Sequence, residues 1–100
     1  MMTAKEMMDE IRMMEDSHAR LLKTAEDLKS VYGDSVKNET KTLEDLADNL
    51  SDLIDQGYDL YHDALTSGEG IVADSFSDIK EDLEFIMSIT DAIAKRKYSC

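Results

Sequence analysis

A chain of 100 residues fits one domain, 1–100, long enough to bury a modest core without help from metal or disulfide. With no proline, four glycines and few aromatic or β-branched residues, the composition excludes a chain of short strands and turns and leaves an all-α fold. The formal charge of −12 argues against direct nucleic-acid binding, because such a field repels phosphate, and no apolar run nears the roughly 20 residues of a membrane span.

The first helix is expected over about 3–32. Thr3 can cap free backbone N–H groups while Glu6, three residues on, reaches back in a capping box. Ala4, Met7, Ile11, Met14, His18, Leu21, Ala25, Leu28 and Tyr32 then recur at alternating steps of three and four, which puts them on one seam with His18 as its polar member. Gly33 is the expected left-handed stop, and Asp34 or Ser35 can cap the next helix at once.

The second helix, about 35–66, carries Val36, Leu43, Leu50, Gly57 and Ala64 at one seam position, with Leu46, Leu53 and Leu60 at its partner position. Ala47, Ile54 and Tyr61 broaden the stripe. Ser67-Gly68-Glu69-Gly70 reads as a short connection, and the third helix, about 74–97, starts around Asp74 or Ser75. It shows Phe76, Ile79, Leu83, Ile86, Thr90 and Ile93 at the same steps, then Lys95-Arg96-Lys97 in the last turn, where positive charge suits a helix C-terminus.

Short links make sequential helices antiparallel, so the expected fold is an up-down-up three-helix bundle. With turns centred near 33–34 and 69–70, His18 lies level with Asn49 or Leu50, and these with Thr90. His18 and Thr90 are therefore expected to form a structural polar layer, joined by a hydrogen bond, direct or through water, that fixes helix register. Gly57 falls level with Ile11 and Leu83, where its missing side chain either admits a larger neighbour or kinks the helix.

Charge is unevenly distributed. Between Thr42 and Ile79 there is no Lys or Arg, against ten acids. Asp45, Asp48, Asp52, Asp55 and Asp59, continued by Asp63, repeat at steps of three and four on the face opposite the leucine seam. Successive carboxylates lie about 5 Å apart along the axis, comparable to phosphates along a nucleic-acid strand. The row is either the solvated side of an amphipathic helix or an electrostatic decoy that fills a basic groove built for nucleic acid. A second contact surface is suggested near the N-terminus, where six of seven methionines cluster. Met8 and Met13 stand beside or away from the seam, and such flexible side chains suit a partner or a homodimer contact as well as ordinary packing or exposure.

Catalytic and metal readings find little support. Glu15 with His18, and Asp59 with His62, have the carboxylate-x-x-His spacing of di-iron bundles, but Asp59 and His62 fall on the outward row while His18 points into the seam. Cys100 is the only cysteine and reads as an idle thiol, and no nucleophile-base pair or phosphate-binding loop is present, so neither enzyme activity nor cofactor is expected. The first residues, Met1-Met2-Thr3-Ala4-Lys5-Glu6, lack the apolar core of a signal peptide, so the expected location is cytoplasmic, that of a host cell if the chain is phage-encoded.

In length, and in its helix-turn-helix with Val31-Tyr32-Gly33 at the turn, the chain resembles the WXG family of small type VII secretion substrates and their helical partners. It departs from them in lacking the tryptophan, in having a third helix, and in placing Tyr98 too near the end to open the usual export motif. Its compact acidic helical character is also similar in physical type to phage inhibitors of host defence, including anti-CRISPR and anti-restriction proteins. The expected function is a non-enzymatic inhibitor or nucleic-acid-mimicking decoy of a basic nucleic-acid-handling protein, with the 45–63 face as contact. The alternative is a structural or chaperone-like helical partner, including a type VII secretion-associated one.

Overall fold

A computed structural model describes residues 3–98. Every described residue is helical except Thr3 and Gly68. The elements are α1 (Ala4–Tyr32), a 3₁₀ turn (Gly33–Val36), α2 (Lys37–Ser67) and α3 (Glu69–Tyr98). Each long helix has about 30 residues and so runs about 45 Å, nearly the full length of a bundle measuring 49 × 19 × 17 Å. The all-α, up-down-up arrangement is the one the periodicity implies.

Thr3 and Glu6 form the capping box: the Glu6 N–H donates to Thr3 Oγ1 at 3.2 Å, and the Thr3 N–H donates to Glu6 Oε1 at 3.2 Å. A third bond comes from across the bundle, where the Ala4 N–H donates to Glu69 Oε2 at 3.1 Å. One otherwise orphaned donor of α1 is thus satisfied by the first residue of α3, which ties the two helix starts together. The Thr3 N–H, and then its hydroxyl, hold the Glu6 carboxyl below its usual range. A depressed carboxylate pKa contributes stability that is present above the unfolded value and lost as pH falls through the folded one. Thr3→Ala removes the N-cap hydroxyl, a loss that should lower stability by about 1 kcal/mol at neutral pH, and because that hydroxyl also donates to the Glu6 carboxylate the loss should be smaller in acid. Urea titrations of both proteins at the two pH values check this, and an equal loss at both would rule out the carboxylate's share.

The turns differ from expectation in three ways. Gly33 does stop α1, with φ 61° and its N–H bonded to the Lys29 carbonyl. Neither Asp34 nor Ser35 caps α2, however, because the chain first makes a 3₁₀ turn. The Ser35 hydroxyl donates back to the Tyr32 carbonyl at 2.8 Å, and Val36, at the head of α2, is fully buried. Second, α3 starts at Glu69 and not near 74, so the connection shrinks to Gly68 alone, at φ 102°. Gly70 is taken into the helix despite its poor propensity because the added turn buries Val72 and positions Glu69 on Ala4. Third, the α3 side chain nearest Gly57 is Phe76 and not Leu83. A Cβ at Gly57 would lie 3.3 Å from Ile11 Cγ1 and 3.9 Å from Phe76 Cε2, so the missing side chain admits two larger neighbours, one from each flanking helix.

The seam residues make the core. Met14, Leu21, Leu28, Leu43, Leu50 and Leu83 lie in one cluster, and Met7, Ile11, Ala64, Val72 and Phe76 in a second near the α2–α3 connection. Ile54 and Leu60 pack against both, so the core is continuous. At about 1.5–3 kcal/mol for each fully buried large side chain, these stripes and not helix propensity hold the bundle.

His18 is half-buried and Thr90 is buried. Arg20 of α1 meets Asp91 of α3 at 3.5 Å, which brings the turns holding His18 and Thr90 to similar depth. Of the two forms expected for the bond between them, direct or through water, the direct one is not made. The Thr90 hydroxyl donates instead to the Ile86 carbonyl one turn back, at 2.9 Å, which satisfies its proton within its own helix. Cys100, Met1 and Met2 lie outside the described residues. Among the described residues no helix is long and apolar enough to cross a membrane.

Candidate acidic docking face

In α2 the seam that carries Leu43 and Leu50 is closed against the other helices, and the opposite side is left to solvent. Asp45, Asp48, Asp52, Asp55, Asp59 and Asp63 are all exposed there. Their neighbours make the two ends of the row unequal. Lys41 pairs with Asp45 at 3.7 Å, and Lys29 reaches from α1 to Glu44 at 2.8 Å, so the start of α2 is locally neutralised. From Asp48 to Asp63 the aspartates of the row have no ion pair among the described residues. This stretch covers about 22 Å of helix.

The row straddles a ridge. Asp48 leans toward α1, where it lines a shallow depression with Leu22, Glu26 and Lys29. Asp52 and Asp59 lean toward α3 and share the groove between the two helices with Asp78 and Asp82. That groove has an apolar floor of half-buried Leu46, Leu53 and Leu60, and Phe85 stands at its edge 66% exposed.

The seam periodicity does not single out Phe85. It lies outside the α3 seam, as do Ile71 and Ile89, yet the three fall on one line at steps of fourteen and four. That second apolar line is the signal in the sequence, and only the lack of cover over Phe85 and Ile71 in the fold reveals it as a surface.

The other singled-out residues are dispersed. Met8 is half-buried and Met13 is 58% exposed. Glu15 accepts a hydrogen bond from the Tyr58 hydroxyl at 3.1 Å, an α1–α2 contact, and this bond to a carboxylate pushes the Tyr58 phenol up from its usual pKa. Asp59 and His62 are exposed on α2, and the His62 and Tyr61 rings lie edge to face with their centres 5.9 Å apart. Among the described residues no three His, Cys, Asp or Glu side chains gather as metal ligands. No protein-family model matches the chain, and no curated protein or solved structure matches it either.

Proposed function

We propose that the protein is a non-enzymatic inhibitor that docks its α2 ridge on a basic surface of a nucleic-acid-handling protein and excludes the nucleic acid from it. One observation carries this reading: Asp48, Asp52, Asp55, Asp59 and Asp63 stand in solvent along one rigid helix with no cation paired to them among the described residues. A row of carboxylates held in this way keeps its field. Simple solubility needs neither the alignment nor the absence of Lys and Arg between Thr42 and Ile79.

The test compares the protein with the Asp52→Lys, Asp55→Lys variant as immobilised bait in host lysate, at about 0.05 M and about 0.5 M salt. The native bait should retain a basic nucleic-acid-binding protein at low salt and release it at high salt. Against that purified protein, the variant should bind about a hundredfold more weakly at low salt. The variant itself should fold normally, since it relieves like-charge repulsion along the helix. Identical retention by both baits, or retention that ignores salt, overturns the reading. The second reading, a helical partner that binds through apolar contacts, draws on the exposed Met13 thioether and predicts that salt-insensitive result.

A further inference from the structure

The groove between α2 and α3 has a form that the ridge alone does not explain. Two adjoining depressions, of about 370 and 350 Å³, share Gln56 and Asp82 and make one channel along the helices. Its floor is apolar, and along its sides stand Asp52 and Asp59 from α2 and Asp78 and Asp82 from α3. No Lys or Arg lines either depression among the described residues. Exposed Phe85 adds a large aromatic surface at one end, where an isolated bundle gains nothing from it.

We propose that this groove seats a cationic amphipathic helix of the partner protein. The inference deepens the function proposed above and rests on it for the sign of the partner's charge. The floor from Leu46 to Leu60 is about 21 Å long, the length of a 14-residue helix, and Leu46, Leu53 and Leu60 repeat at the interval a helical apolar stripe can follow. Basic side chains beside that stripe lay their aliphatic stems over the floor and bring their charged ends to the flanking aspartates. The same charge argues against a second copy of this chain as occupant. At −12 per molecule, a dimer through this groove would set carboxylates against carboxylates. Phe85 is the anchor of the interaction, because a desolvated aromatic at a groove end carries more binding energy than exposed charge pairs.

The probe is a fluorescent peptide of about 18 residues, made of leucine and lysine placed so that the leucines share one helical face. A peptide of identical composition with the order permuted is its control. The periodic peptide should bind about tenfold more tightly than the permuted one, and Phe85→Ala should remove most of that difference. Phe85 is largely exposed, so its loss leaves the fold intact, which far-UV circular dichroism verifies. Amide shifts on titration should cluster at Leu53, Gln56, Asp82 and Phe85. Asp9→Lys with Asp16→Lys, the same change of charge at exposed positions of α1 outside the groove, should cost the periodic peptide only about twofold. Equal binding of the two peptides, indifference to Phe85→Ala, or shifts confined to the ridge would each overturn the groove. A salt-sensitive host partner that survives Phe85→Ala leaves the inhibitor reading standing without the groove. A periodic peptide seated in the groove, with no such host partner, leaves the groove standing without the inhibitor.

Discussion

Phe76→Ala should lower the stability of this protein by about 3–5 kcal/mol, a large share of the roughly 5–15 kcal/mol that holds a typical domain together. Phe76 is fully buried and lies in the cluster where Met7 and Ile11 of α1, Ala64 of α2 and Val72 of α3 meet. Alanine there loses the transfer free energy of the ring and leaves a void that three rigid helices cannot close. The site has no alternative filler, because the facing position on α2 is Gly57, which contributes no side chain. Urea unfolding followed by helical ellipticity measures the change. A loss under about 1 kcal/mol would show that the ring is not locked between the helices.

Gly57→Leu should destabilise through the opposite fault. The first added carbon already lies 3.3 Å from Ile11 Cγ1, closer than ordinary van der Waals contact, and Ile11 is fully buried. Alanine at 57 sets this tight contact against a helix-propensity gain of about 1 kcal/mol, so its net effect should be near zero. Leucine adds three further carbons to the space held by Ile11 and Phe76, and overpacking of this kind costs about 1–3 kcal/mol or more. Ile11→Ala should then rescue Gly57→Leu in part, since the two side chains compete for one volume. Thermal unfolding of the single and double variants gives the coupling, and strictly additive effects would refute the shared volume.

The parts of this fold that are legible in the sequence are those set by one residue and its own helix. The seam from Met7 to Leu28, the Thr3 capping box, the stop at Gly33 and the outward turn of the α2 aspartates all follow from periodicity and local bonding. The rest depends on atoms distant in sequence. Glu69 belongs to a helix because its carboxylate meets the Ala4 N–H and because Val72 finds cover, and neither fact is visible in a run that contains two glycines. Thr90 has two outlets for its proton, and the nearer carbonyl of Ile86 wins. Counting along antiparallel helices pairs Gly57 with Ile11 but misses Phe76: re-centring the count on Gly68 moves it from Leu83 only to Ile79, about one helical turn short of the contact made. The groove is hidden for a related reason: it is bounded by two helices, and periodicity describes each helix alone.

The one-residue link at Gly68 also governs whether α3 folds back on its own chain. Its φ of 102° is a conformation that other residues adopt only under strain, although no atom lies within 4 Å of where a side chain would begin. Glycine is held there by torsion and not by crowding. If that torsion relaxed into helix, residues 37–98 would become one continuous rod roughly 93 Å long. Each rod would then find its missing antiparallel neighbour only on another molecule, and two copies exchanging their final helices would rebuild the native interior in full.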